Sequence, residues 1–271
     1  MDSPLDLTYA QVLGYRPLSL DLHVPAGEGP WPLVVWVHGG GWRTGDRRTL
    51  PSTYAELGFF ARMRRRGYAV ASVDYRLSAE ARFPAQLHDV KAAIRWLRAN
   101  AADLALDADR VALWGESAGG HLVALAGLTA DAPDPFVEGE VGLTGVSSAV
   151  HAVVNWYGVA DLVGLDRKDP ESPEALLLGG QPGHLPELAA LASPAEHAHA
   201  EAPPFLCVHG VADKVVPYSQ SEHLAAVLHA YGTRCDLRPV PGADHIFEGT
   251  DDVGALIETS LDFLDDVLKL P

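Results

Sequence analysis

From about residue 31 onward, apolar runs bounded by turn residues alternate with stretches of helical periodicity. Strands that are apolar along their whole length must be covered on both faces. The alternation therefore predicts βαβ units, a mostly parallel sheet and helices on both sides of it. The strands are expected at 31–37, 69–75, 110–114, 150–157, 205–209 and 237–240. Ahead of them, 17–24 alternates as Leu18, Leu20, Leu22 and Val24, which reads as an antiparallel strand at the sheet edge.

Helical patterns fill the gaps. The 53–66 stretch ends in Arg62, Arg64, Arg65 and Arg66, which suit a helix C-terminus, and Gly67 stops it. Pro84 opens an amphipathic helix whose Leu87, Val90, Ala93, Ile94 and Leu97 share a face. Further helices are expected at 118–130, 219–231 and 253–268. Residues 161–203, rich in Pro, Gly, Ala and His, interrupt the rhythm and read as a small lid-like insertion over one sheet edge. The expectation is a single α/β domain over residues 1–271, with no internal repeat.

Composition narrows the partners. Acidic residues number 36 against 20 basic, a net charge of −16. Such a surface repels phosphate backbones and anionic lipid, so neither nucleic acid nor a membrane is an expected partner. No run approaches a membrane span, and the acidic N-terminal residues lack the features of an export signal. A cytoplasmic protein is expected, with Cys207 and Cys235 as buried free thiols. The sequence leaves a homodimer open. No Cys/His spacing suggests a structural metal, and no glycine-rich phosphate loop is present; neither metal nor cofactor is expected.

Two short stretches carry the chemistry. Gly115-Glu116-Ser117-Ala118-Gly119 is a G-x-S-x-G pattern between a strand and a helix, the context in which a serine Oγ stands exposed on a sharp turn. His38-Gly39-Gly40-Gly41-Trp42 follows another strand and can leave backbone N–H groups free to bind an oxyanion. Gly40, Gly41 and Ala118 are the expected donors. Twelve histidines compete as base. His245 follows the last strand and returns to the sheet edge near Ser117. His209 would precede the acid in the chain, His121 lies behind the serine, and His197, His199, His223 and His229 read as solvated. Asp213, in the loop after the 205–209 strand, is the expected orienter, with Asp161 as rival and Asp244 pointing elsewhere. A histidine base must be unprotonated, so activity is expected to fall on acidification. Trp42, Glu116 and Tyr157 are candidates for the substrate pocket. His38 is expected to brace its loop, and Arg76 either to read a substrate carboxylate or to pair with an acid such as Asp89.

At these residues the chain resembles the α/β-hydrolase superfamily. More narrowly it is similar to bacterial carboxylesterases of the feruloyl-esterase-like and hormone-sensitive-lipase-like groups, over about residues 16–268. The resemblance implies an eight-stranded, mostly parallel sheet and cofactor-free hydrolysis of a small-molecule ester. Two departures favour the feruloyl-esterase-like group: Gly-Glu-Ser stands where hormone-sensitive-lipase-like enzymes commonly have Gly-Asp-Ser, and the residues before the glycine turn look like strands. The expected activity is a serine carboxylesterase acting on short-chain esters. An amide-cleaving acyl hydrolase, arylformamidase-like or a peptidase, is the alternative; a non-catalytic hydrolase-like binding protein is the third reading.

Overall fold

The computed structural model describes residues 3–165 and 167–268. Among these, the strands are β1 (Leu5–Ala10), β2 (Leu18–His23), β3 (Trp31–Val37), β4 (Ala69–Val73), β5 (Leu106–Glu116), β6 (Ala152–Trp156), β7 (Phe205–Gly210) and β8 (Cys235–Val240). They form one eight-stranded sheet in the order β1-β2-β4-β3-β5-β6-β7-β8. β1 and β2 run antiparallel, and every pairing from β4 to β8 is parallel. The α/β-hydrolase arrangement that the motifs implied is the one observed.

The two-residue period of a strand explains the layering. Leu33, Val35 and Val37 of β3 point into one core with α3 (Ala85–Ala99), α4 (Ala118–Leu128) and α8 (Ser219–Ala230). Val34 and Trp36 point into the other, against α1 (Ser52–Glu56), α2 (Phe59–Arg65) and α9 (Val253–Leu268). Trp36, Trp114 and Trp156 meet edge to face across β3, β5 and β6, at centroid distances of 6.5 and 5.0 Å. Cys207 and Cys235 lie on neighbouring strands as buried free thiols, with their sulfurs 3.8 Å apart. No helix among the described residues is long and apolar enough to cross a membrane.

Three sequence expectations need correction. The edge strand is β1, not 17–24; β2 is flanked on both sides, pairing Leu22 with Leu5 and Leu20 with Val73. β5 begins at Leu106 because Asp107 and its neighbours, polar enough to resemble a loop, still pair with Trp31 and Pro32. The 53–66 helix is two helices, broken where Gly58 adopts φ +65°. The 161–203 insertion divides in two. Its first part reaches the site rim, whereas Ala189, Ala192, Pro194 and Ala195 are buried. There Ser193 Oγ accepts the Leu162 N–H at 2.9 Å, and the Ala195 N–H donates to Ala160 O at 3.0 Å.

Below the site, Arg76 is committed to Asp89. Its Nε and Nη2 donate to the two carboxylate oxygens at 2.8 and 2.7 Å, and its own N–H adds a third bond at 2.8 Å. Both residues are buried, so Arg76 reads no substrate. Removing one partner strands a buried charge, which typically destabilises by about 3–5 kcal/mol. Arg76→Met is accordingly expected to lower Tm by roughly 6–20 °C for a domain of this size. Thermal unfolding measures this, and an unchanged Tm would contradict it.

Candidate active site

β5 ends at Glu116, and the chain reverses into α4 through Ser117, which sits at φ +51° and ψ −118°. A non-glycine residue rarely adopts a positive φ, and the tight contacts around the turn hold it there. The Ser117 N–H donates to Trp156 O at 2.9 Å. A Cβ on Gly119 would lie 2.0 Å from Val37 O, so only glycine lets α4 start against the end of β3. The half-buried Ser117 side chain makes no helix-capping bond and is left free at the sheet edge.

Ser117, His245 and Asp213 converge from three loops. The Ser117 hydroxyl lies 3.1 Å from His245 Nε2, and His245 Nδ1 lies 2.8 Å from Asp213 Oδ2. With Nδ1–H donating to the carboxylate, Nε2 is left as the acceptor for the serine proton. Asp213 Oδ1 accepts the N–H groups of Val215 and Val216, both at 2.8 Å. Burial opposes the charge on Asp213. The N–H groups of His209, His245 and Val216 outweigh it and hold the carboxyl well below the usual range. The acid and base loops are stitched together: Asp244 accepts the N–H groups of Lys214 (2.9 Å) and His245 (2.8 Å) and pairs with the Lys214 ammonium. Asp161 instead accepts the Gly164 N–H within its own turn. His121 is buried, which pushes its pKa down to about 4 against a hydrogen bond to Ala192 O; with Nε2 committed there and its ring against Trp42, it is not the base that meets Ser117. His197 is half-buried and donates to Leu191 O rather than being solvated.

The glycine loop is held by its other polar groups. Gly40 O accepts the N–H groups of Arg43 and Thr44 at 3.1 and 3.2 Å, and the Gly39 N–H donates to Glu116 Oε1 at 3.3 Å. His38 Nδ1 bonds Gly39 O at 2.8 Å, and its ring stacks on Tyr75 at 4.4 Å. Gly40 adopts φ +104°, and a Cβ there would lie 2.3 Å from Thr44 O. Among the described residues, the N–H groups of Gly40, Gly41 and Ala118 have no acceptor. Gly41 and Ala118 line a cavity of about 470 Å³ together with Ser117, Trp42, Val159 and Val216.

The structure divides the three pocket candidates. Trp42 lines the cavity, edge-on to His121 at 5.0 Å. Glu116 and Tyr157 do not. The Tyr157 hydroxyl donates to Glu116 Oε2 at 2.6 Å and contacts Tyr54 OH, so both side chains turn beneath the glycine loop. Burial raises the Glu116 pKa, opposed by the Tyr157 hydroxyl and the Gly39 N–H. The Tyr157 ring packs edge-on against His245 at 4.9 Å. The wall they were expected to form comes instead from Arg43, Arg167, Asp169, Glu171, Ser172 and Pro173. Five of these lie in the 161–203 insertion expected over the sheet edge, but the sequence singled out none of them, nor Arg43, because nothing in a loop's local pattern says which side chains face a cavity. Among the described residues no cluster of His, Cys, Asp or Glu could hold a metal ion.

A model of the BD-FAE family matches residues 20–228. The chain is 37% identical over 226 residues to Esterase LipC of Mycobacterium tuberculosis, covering 81% of this chain and 54% of that protein. It thus spans about half the length of the curated relatives it matches. Among solved structures, a truncated carbohydrate esterase from gut microbiota superposes with a TM-score of 0.85 at 31% identity, covering 98% of this chain and 96% of the other. Propionate-bound esterase 2 of Thermogutta terrifontis superposes with a TM-score of 0.77 at 28% identity, covering 97% and 94%.

Proposed function

Because the chain belongs to the BD-FAE family of α/β-hydrolase carboxylesterases, we propose that it hydrolyses short-chain carboxylic esters through an acyl-enzyme on Ser117. The observation that carries this reading is the aligned pair of contacts at 3.1 and 2.8 Å joining Ser117 to His245 and His245 to Asp213, beside an open cavity. Ser117 Oγ attacks the ester carbonyl while His245 Nε2 takes its proton. Asp213 holds the tautomer and stabilises the imidazolium. The unpartnered N–H groups of Gly40, Gly41 and Ala118 donate hydrogen bonds to the carbonyl oxygen as negative charge develops on it. One such donor typically contributes about 3 kcal/mol. His245 then protonates the leaving alcohol. In the second half, His245 activates a water that attacks the acyl carbon, and the collapse returns the proton to Ser117.

The cavity suggests the substrate. Its apolar floor of Trp42, Val159 and Val216 is small, and its rim is charged. An acetyl- or propionyl-sized acyl group fits such a floor; a long alkyl chain would press against ionised groups. The polar rim favours an alcohol rich in hydroxyls, and the resemblance to a carbohydrate esterase supports that reading. For p-nitrophenyl esters, kcat/KM on acetate and propionate is expected to exceed that on octanoate about 10-fold or more, since a long chain laid over the rim strips water from charged groups without replacing its hydrogen bonds, at about 1–3 kcal/mol per group. Equal rates along the series would remove the short-acyl reading. Turnover of N-formyl or peptide amides without ester turnover would favour the amide-cleaving alternative.

A further inference from the structure

Asp213 stands between two histidines. On one side is His245. On the other, His209 of β7 is fully buried, with its Nε2 2.9 Å from Val216 O and 3.3 Å from Asp213 Oδ2. The shorter contact is the hydrogen bond; the longer one brings the same N–H dipole onto the carboxylate. Nε2 faces two acceptors, so it carries the hydrogen, and Nδ1 accepts. The donor to Nδ1 is on hand: Ser221 Oγ, on α8 and also buried, lies 2.7 Å away. The result is a continuous chain Ser221–His209–Asp213–His245–Ser117 with a serine at each end. Only the Ser117 end opens on the cavity.

We propose that His209, its Nδ1 held by Ser221, is a positioning residue that aims the Asp213 carboxylate at His245 and shares its charge. This rests on the catalytic reading of Ser117, His245 and Asp213 given above. Oδ1 is held by two backbone N–H groups, and Oδ2 is pulled by two imidazoles. Without the His209 N–H, Oδ2 is freer to turn and carries more charge toward the His245 proton. The proton is then given up less readily, and kcat falls. The other groups facing this chain are Tyr157, edge-on to both histidines; Tyr218, edge-on to His209; Cys207, two residues back on β7; the Lys214–Asp244 pair; and Glu116 behind Tyr157. None of them changes in the variants, so their fields are common to all.

The test compares His209→Met, which is of similar length but lacks a donor, with His209→Gln, which restores an N–H, and with Ser221→Ala, which removes the Nδ1 partner and loosens the ring. Each is assayed on p-nitrophenyl acetate across pH, with Ser117 counted by fluorophosphonate titration. His209→Met is expected to lower kcat about 10-fold or more per titrated site, the scale of outer-shell partners of a working histidine, with KM little changed. The acid limb of kcat/KM moves to higher pH. His209→Gln recovers most of both, and Ser221→Ala moves the limb the same way by less. Where His209→Met fails to fold, Ser221→Ala decides. An unmoved limb with activity tracking only the titrated fraction overturns the proposal and leaves the esterase reading standing. Absence of ester turnover in the native protein overturns both.

Discussion

Ser117→Ala is expected to lower kcat for ester hydrolysis on the order of 10⁶-fold, the scale seen when a serine nucleophile of this kind is removed. The fold should survive. The Ser117 side chain caps no helix, and its hydroxyl's hydrogen bond is to His245. Alanine occupies the same backbone conformation at similar strain, so Tm should move little. Labelling by a fluorophosphonate, which needs the activated oxygen, disappears with the hydroxyl. Turnover within about 100-fold of the native protein, on well-folded variant, would mean that another group attacks the ester, since that retains far more than a site without its nucleophile does. A native protein that takes no label would favour the binding-protein reading.

Gly119→Ala should act on the fold rather than on the chemistry. The added methyl would lie 2.0 Å from Val37 O and 2.6 Å from His38 O. Both are backbone atoms at the junction of β3 and the glycine loop, so no side chain can swing aside. Overpacking of a rigid site typically destabilises by about 1–3 kcal/mol and sometimes more; with unyielding backbone on both sides, the upper end applies. That corresponds to a fall in Tm of roughly 6–12 °C. Because the same backbone carries the loop that positions the Gly40 and Gly41 N–H groups, kcat should fall even at temperatures where the variant is folded. Thermal unfolding and kinetics well below Tm separate the two effects. A variant with native Tm and native kcat would mean that the turn relaxes at no cost.

Much of the architecture could be read along the chain. Apolar runs with helical stretches between them predict a sheet covered on both faces, because that pattern has few other ways to bury itself. The serine turn and the glycine loop were readable for a related reason: each is a local steric problem whose solution is written in neighbouring residues. Ser117, Asp213 and His245 were picked out because the architecture implied by the motifs expects serine, acid and histidine in that order, each in a loop after a strand. Corrections came where the decisive partner is far away in sequence. The 17–24 strand looks like an edge until Leu5 pairs with Leu22. Asp107 looks like loop until Pro32 lies beside it.

The sequence by itself determined the layers, the strained serine and the loop with free N–H groups, because short-range sterics and periodic burial leave little choice there. Only the tertiary structure decided what surrounds them. Glu116, next to Ser117 in the chain, and Tyr157, just after β6, turn inward because the Gly39 N–H and two tyrosine hydroxyls satisfy them there. Arg76 is spent on Asp89, while Arg43 and the 167–173 segment form the cavity rim. His209, a rival base on sequence grounds, stands behind the acid instead. Hydrogen-bond satisfaction in three dimensions sets these outcomes, between residues from four positions apart (His209 and Asp213) to 103 (Tyr54 and Tyr157), and the chain's periodicity does not encode it.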